Sequence, residues 1–337
     1  MKSVQVTGPG RTAVVEVEKP VAGPADVLVR IRACGICGSD GLYISVGGIP
    51  PRQGATPLGH EPAGEIVEVG AEVEGLAAGD HVVINGMALG DGILGSGGAQ
   101  GALSEYVLIT GARAGTHLQV VPKHIPFEVA ALNEPMAVAG HAVNRTAPQA
   151  GDKVVVFGAG PVGLGAAIGY KLRGAHVVVV DIVANRLDTA LRIGADEVVN
   201  SAEEDVFARL LQIHGEAPRS FVRGARPDTD NYLDAAGAPA VLETALASAK
   251  HGATLGIVAV HKKPVPVHFG DLLTTELTVV LSMGYPTEIF EVTKDIVEHW
   301  ERYELLISDR LPFAEAQRAL ELGSIPGAAE KVVVTFD

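Results

Sequence analysis

The stretch Lys153-Val154-Val155-Val156-Phe157-Gly158-Ala159-Gly160-Pro161-Val162-Gly163 decides the fold class. Val154 to Phe157 is an unbroken apolar run of strand length, which fits a strand buried on both faces. It runs directly into a G-x-G-x-x-G turn, and the turn opens a helical pattern from Val162 to Arg173. That context gives the glycine pattern its meaning, because each glycine then has a task. Gly158 allows the tight turn, Gly160 lets backbone approach a pyrophosphate, and Gly163 lets the helix pack on the strand. The first helical turn, carrying Pro161 and Val162, directs its N–H groups at the phosphate charge.

Outward from this turn, Ala175 to Asp181 reads as a second strand and Ala184 to Ile193 as a second helix. After a polar insert at Ala217 to Thr229, strand Asn231 to Ala235, helix Pro239 to Ala249, strand Ala253 to Val258 and strand Thr278 to Ser282 follow. Alternating strands and helices need crossovers, so the pattern predicts an α/β, doubly wound parallel sheet of Rossmann type over residues 143–283. Asp181 closes the second strand about 20 residues beyond the turn, where a carboxylate accepts hydrogen bonds from an adenosine ribose and repels a 2′-phosphate. Ile182 and Val183 follow it in place of basic side chains, and Arg186 is near enough to stack on adenine or to reach a phosphate. NAD is therefore expected over NADP.

The N-terminal part has another period. Short β-rich runs at Ser3 to Val6, Ala13 to Glu18, Asp26 to Ala33, Gly64 to Val69 and His81 to Ile84 are separated by Gly and Pro turns, as in a compact antiparallel β domain. Gly86 to Gly101 is glycine-rich and aperiodic, and reads as a surface loop, a flexible lobe or lid, before the strand-like Ser104 to Ile109. An amphipathic Thr287 to Tyr303, a helix at Phe313 to Leu322 and a strand at Lys331 to Thr335 then rejoin the first domain. The expected organisation is two domains, 1–142 with 284–337 and 143–283, with a cleft between them.

Composition narrows the function. With 337 residues, 47% hydrophobic and 41 of them glycine, the chain suits a folded protein with many tight turns. A formal charge of −14 lacks the clustered Lys and Arg that nucleic acid or an anionic membrane needs, so a small-molecule partner is expected. The longest weakly polar run, Val154 to Tyr170, is shorter than the roughly 20 residues that span a bilayer, and a cytoplasmic protein is expected.

The two cysteines, Cys34 and Cys37, lie in the turn-like Ala33-Cys34-Gly35-Ile36-Cys37-Gly38. Two cysteines exclude a disulfide framework and a four-cysteine zinc site, leaving a redox pair or one metal ligand with a bystander. The redox reading wants the pair at a helix start after a strand, in a small thioredoxin-like domain. Potential ligands in the first domain are Cys37, the adjacent His60 and Glu61, and Glu134 in Leu132-Asn133-Glu134-Pro135. Singly they could be a small hydrophobe, a surface turn and a helix cap. Together, thiolate, imidazole and carboxylate suit Zn²⁺, whose catalytic sites keep one position open.

With Gly35-Ile36-Cys37-Gly38-Ser39-Asp40, Gly59-His60-Glu61-Pro62-Ala63-Gly64, Gly79-Asp80-His81-Val82-Val83, Asn133-Glu134-Pro135-Met136-Ala137-Val138, the Gly158 to Gly163 turn and Glu276-Leu277-Thr278 in this order, the chain resembles a known family over its whole length. It is similar to the medium-chain, zinc-dependent alcohol and polyol dehydrogenases, which include sorbitol, threonine and butanediol dehydrogenases. The resemblance implies a discontinuous GroES-like β-rich catalytic domain beside the Rossmann domain. It also implies oxidation of a secondary alcohol (a polyol, sugar alcohol or cyclic alcohol) to a ketone, with hydride passing to NAD. Cys37 and His60 would bind the catalytic zinc, and Glu61 would be a third ligand or a close partner. Glu134 would take the place that polyol dehydrogenases give to Glu, on the metal directly or through its water. Ser39 would carry the substrate proton outward, Asp40 would orient His60, and Cys34 would be a neighbouring non-ligand. A homodimer or homotetramer, joined through an edge strand of the cofactor sheet, is implied as well.

Two positions depart from the family pattern. The lobe that carries four cysteines for a structural zinc in many relatives contains none here, so one zinc per chain is expected. The relay histidine is replaced by Leu42 in Gly41-Leu42-Tyr43, which leaves solvent, a ribose hydroxyl or Tyr43 as the outward proton route. A zinc-free quinone or enone reductase would lack this ligand set. A non-catalytic nucleotide-binding protein would keep the fold without needing it.

Overall fold

The computed structural model describes residues 1–49, 52–53, 55–219, 221, 224–325 and 327–337. The chain divides into two compact units, Met1–Glu134 with Ile289–Asp337, and Pro135–Glu288. The first opens with a hairpin of β1 (Lys2–Gly8) and β2 (Arg11–Glu16), followed by β3 (Val27–Gly35) and, after two residues, α1 (Gly38–Val46). Three two-residue strands, β4 (Gly48–Ile49), β5 (Arg52–Gln53) and β6 (Thr56–Pro57), lead to β7 (Glu61–Val69), β8 (His81–Ile84), β9 (Tyr106–Ile109) and β10 (Leu118–Val121). The hydrophobic run of β3 makes it the spine: it pairs antiparallel with both β7 and β9, and Val29, Ile31 and Cys34 enter the core with Ile66, Val82 and Val107.

The glycine-rich segment between β8 and β9 is not the loose lid expected from its composition. Leu89 and Leu94 are buried in the core of this unit, and Gly95 packs so closely on Gly59 that a Cβ would collide with the Gly59 carbonyl. Two anchoring leucines override what composition alone indicates, and the segment becomes a packed wall against Gly59.

After α2 (Phe127–Ala130) comes α3 (Asn133–Thr146), whose Met136, Ala139 and Val143 lie within contact distance of a Cβ placed on Gly165 or Gly169 of α4 (Pro161–Leu172). This packing puts most of α3 in the second unit, so the chain crosses after Glu134 and Glu288, where the sequence reading placed the crossings after 142 and 283. The second unit continues from β11 (Lys153–Phe157) through β12 (His176–Asp181), α5 (Ala184–Arg192), β13 (Glu197–Asn200), α6 (Val206–His214), β14 (Asn231–Asp234), α7 (Pro239–Ser248), β15 (Thr254–Ile257), α8 (Phe269–Leu272) and β16 (Thr278–Leu281). Its six strands are all parallel, in the order β13-β12-β11-β14-β15-β16. This is the doubly wound Rossmann order, with the switch point at β11. Its outer strand β16 exposes Val279 and Leu281.

The chain then returns to the first unit through α9 (Glu291–Glu298), α10 (Trp300–Glu304), β17 (Asp309–Pro312), α11 (Ala316–Ser324) and β18 (Val332–Thr335). The single amphipathic helix expected at Thr287 to Tyr303 is broken at His299, whose backbone (φ −127°, ψ 30°) leaves the helical region. β18 pairs antiparallel with the end of β3, setting Val333 opposite Gly35 and Val334 opposite Cys34. Among the described residues no helix is long and apolar enough to cross a membrane.

His214, at the end of α6, is buried with its Nδ1 2.7 Å from Thr229 Oγ1 and its ring edge-on to His176. Burial, then the neighbouring His176 and Lys153, lowers its pKa from 6.5 to about 4. The folded protein therefore keeps this ring neutral where the unfolded chain takes up a proton, and stability present above pH 6.5 is lost as pH falls toward 4. We expect the urea midpoint to fall between about pH 7 and about pH 4.5, and His214→Gln to flatten that fall. Parallel pH profiles in the two proteins would contradict the assignment.

Candidate metal centre and dinucleotide turn

The candidate metal centre grows from the strand ends of the first unit. Cys37 stands in extended conformation (φ −107°, ψ 151°) immediately before α1. Its N–H donates to Asp40 Oδ2 at 2.9 Å, so Asp40 closes the first turn of the helix and fixes the loop that carries the thiol. The other Asp40 oxygen lies 3.5 Å from His60 Nδ1, and both residues are buried. His60 Nε2 lies 3.3 Å from Ser39 Oγ. Gly59 holds a left-handed φ of +91°, and a side chain there would lie 2.9 Å from Cys34 Sγ, so glycine is required to deliver the imidazole.

Glu61 is the first residue of β7 and sits opposite Gly35 of β3. A Cβ on Gly35 would collide with the Glu61 carboxylate. Glu61 is 0% exposed and its Oε2 is ion-paired with Lys331, itself 2% exposed, whose Nζ also donates to the Ile36 carbonyl at 2.8 Å. The ligand atoms of Cys37, His60 and Glu61 lie within 4.8 Å of one another. Glu61 Oε1 is buried without a hydrogen-bond donor among the described residues, a costly state that a cation would relieve. Sulfur, nitrogen and oxygen donors around such an oxygen fit zinc.

Charge coupling runs through the cluster. Burial works to lower the His60 pKa, but the Asp40 charge, aided by Cys37, outweighs it and the net shift is well upward. Burial likewise works against the Lys331 ammonium, and the Glu61 charge, with Cys37 and Glu134, raises its pKa overall. Glu134, half-buried at the start of α3, is outside the three-residue cluster. Burial pushes its pKa up to about 7, with His60 opposing the rise and Glu61 adding to it. Cys34 faces the core, where burial drives its thiol pKa upward. Leu42 is exposed, and Tyr43 Oη lies 3.3 Å from Ser96 Oγ of the packed glycine-rich segment. Lys331 is the group that sequence reading missed: a lone lysine before a strand, 270 residues from Glu61, carries no motif.

In the second unit, Gly158 has φ +97°, and a Cβ there would meet the Ala235 and Ala236 backbone at 3.0 Å. A Cβ on Gly163 would collide with the Gly158 carbonyl, whereas one on Gly160 would meet nothing within 4 Å. The turn is crowded below and open above. Gly160 precedes α4, which has Pro161 in its first turn, no side-chain cap and no acidic residue there, so the open side presents helix N–H groups to an anion. Asp181 Oδ2 accepts from Ala159 N–H at 2.6 Å, and its Oδ1 accepts from Ile182 and Val183 N–H at 2.7 and 2.9 Å. The backbone thus holds this carboxylate at the end of β12. Arg186 is half-buried on α5.

Residues 23–119 match the family described as alcohol dehydrogenase GroES-like domain, and 161–298 the one described as zinc-binding dehydrogenase. The chain is 33% identical over 293 residues to (R,R)-butanediol dehydrogenase of Bacillus subtilis (strain 168), covering 80% of each protein. This chain belongs to the zinc-dependent medium-chain alcohol dehydrogenase family. This medium-chain dehydrogenase is also 30% identical to sorbitol dehydrogenase of Bacillus subtilis (strain 168), with 88% of this chain and 86% of that one covered. Its structure superposes with a TM-score of 0.84 on a zinc-binding dehydrogenase of Sinorhizobium meliloti 1021 bound to NADP, at 26% identity over 99% and 98% of the two chains. The dehydrogenase is accordingly an enzyme acting on small-molecule alcohols with zinc and a nicotinamide cofactor.

The fit of Glu61 against Gly35 is directly testable. Gly35→Ala drives a methyl into the buried carboxylate and is expected to destabilise the protein by about 1–3 kcal/mol. Gly38→Ala, where a Cβ meets nothing within 4 Å, should stay within about 0.5 kcal/mol of wild type. Urea unfolding of both variants measures the difference, and equal stabilities would refute the crowding at Gly35.

Proposed function

We propose that this dehydrogenase oxidises a secondary alcohol, of the diol or polyol class, to a ketone with NAD, using a single zinc held by Cys37, His60 and Glu61. The observation that carries this reading is the buried Glu61 oxygen without a donor, set beside a thiol and an imidazole within 4.8 Å. Glu134 completes the set, on the metal or through water, from its place at the start of α3. When bound, zinc supplies Lewis acidity toward the substrate oxygen and the nicotinamide accepts the hydride.

The protein's own groups prepare that chemistry. Asp40 orients His60, and Lys331 neutralises one Glu61 oxygen so that the other can face the metal. Ser39 would take the substrate proton, a reading supported by its Oγ lying 3.3 Å from His60 Nε2. Leu42 cannot pass it on, so the proton leaves through solvent, a ribose hydroxyl or Tyr43. Preference for NAD rests on Asp181: its carboxylate, fixed by three backbone N–H groups, has acceptor capacity left for ribose hydroxyls and repels a 2′-phosphate. The single zinc rests on the segment from Gly86 to Gly101, which has no cysteine and is held by buried Leu89 and Leu94 instead.

Metal analysis of wild type should return about one zinc per chain, and Cys37→Ala should lose both zinc and turnover while still binding NADH. In the same assay, Asp181→Ala should lower the NAD over NADP ratio of kcat/KM by about tenfold or more. Full turnover in zinc-free protein, or a wild-type preference for NADP, would overturn the corresponding half of the proposal.

A further inference from the structure

Asp234, at the carboxyl end of β14, is 0% exposed and does work that the metal centre and the glycine turn leave unexplained. Its Oδ1 accepts from Ala236 and Gly237 N–H at 3.0 and 2.9 Å, and its Oδ2 lies 2.6 Å from His261 Nε2. Its carbonyl accepts from Val258 and Ala259 N–H at 3.0 and 3.1 Å. One buried residue therefore ties together the loop after β14 and the loop after β15. The two loops also touch directly, since a Cβ on Gly237 (φ +71°) would lie 3.0 Å from the Val260 carbonyl. The first of them forms the floor of the dinucleotide turn, against which Gly158 packs at Ala235 and Ala236.

Strand order says which part of a dinucleotide these loops meet. Asp181, the carboxylate that would meet the adenosine ribose, lies at the end of β12, on one side of β11, while β14 and β15 lie on the other. A dinucleotide crossing the carboxyl ends of a doubly wound sheet places its second nucleotide half over that other side. We propose that Asp234 and His261 form a clamp that positions the nicotinamide half of the cofactor, by fixing the backbone of residues 235–237 and 259–261. This inference rests on the dinucleotide reading of the Gly158 turn. His261 is a positioning residue: its Nε2 is committed to Asp234, and its Nδ1 is buried with no partner among the described residues. Removing the ring leaves Asp234 buried with one oxygen unpaired and frees the second loop from the first.

Calorimetric titration of the full-length enzyme with NADH and, separately, with ADP tests the clamp, because ADP lacks the nicotinamide half. His261→Ala should weaken NADH binding by about tenfold and leave ADP binding within about twofold of wild type. His261→Gln, which keeps a side-chain donor for Asp234, should recover most of the NADH affinity. NADH affinity unchanged in His261→Ala, ADP affinity falling in parallel, or Gln behaving like Ala would each overturn the clamp. Failure of wild type to bind either NADH or ADP would instead overturn the dinucleotide reading, and the clamp with it.

Discussion

The first unit is organised around one buried ion pair, Glu61 with Lys331. Removing each charge from water costs several kcal/mol, so neither is tolerable alone in this interior. Lys331 reaches Glu61 only because the chain returns after residue 289 and lays β18 along the end of β3. Glu61 reaches Lys331 only because Gly35, opposite it in the ladder, has no side chain. The discontinuous organisation is thus a condition of the candidate metal centre. The residue before its closing strand, Lys331, carries the counter-charge that lets a carboxylate sit beside Cys37 and His60, with one oxygen left for a cation.

The second unit obeys a steric version of the same logic. Gly158, Gly163 and Ala235 are packed so tightly that the strand, the turn and the first helix form one rigid corner, while Gly160 faces open space. Asp181 fixes one flank of that corner through Ala159, and Asp234 fixes the other through Ala236 and Gly237. Two carboxylates, both anchored by backbone N–H groups, give the cradle its shape before any ligand arrives.

Local pattern made part of this legible from sequence. The apolar run Val154 to Phe157, the glycine turn and the alternation beyond it define the parallel sheet, because each signal lies within a few residues of its consequence. Cys37, His60 and Glu61 stand out through their short motifs, and the fold brings their donor atoms together. Lys331, His261 and the pairing of β18 with β3 leave no such trace, since they depend on contacts between residues far apart in the chain. The segment from Gly86 to Gly101 misleads for a related reason: its glycines signal mobility, and only the burial of Leu89 and Leu94 makes it a wall. The break at His299 is a backbone event that an amphipathic pattern does not report.

The most direct measurement of the proposed zinc site is zinc K-edge X-ray absorption on the zinc-loaded enzyme. A site built on Cys37, His60 and Glu61 gives one sulfur at about 2.3 Å with the remaining scatterers nitrogen or oxygen at about 2.0–2.2 Å. Two sulfurs would mean that Cys34 had left the core to join the metal, and none would mean that Cys37 is not a ligand; either result would contradict the assignment.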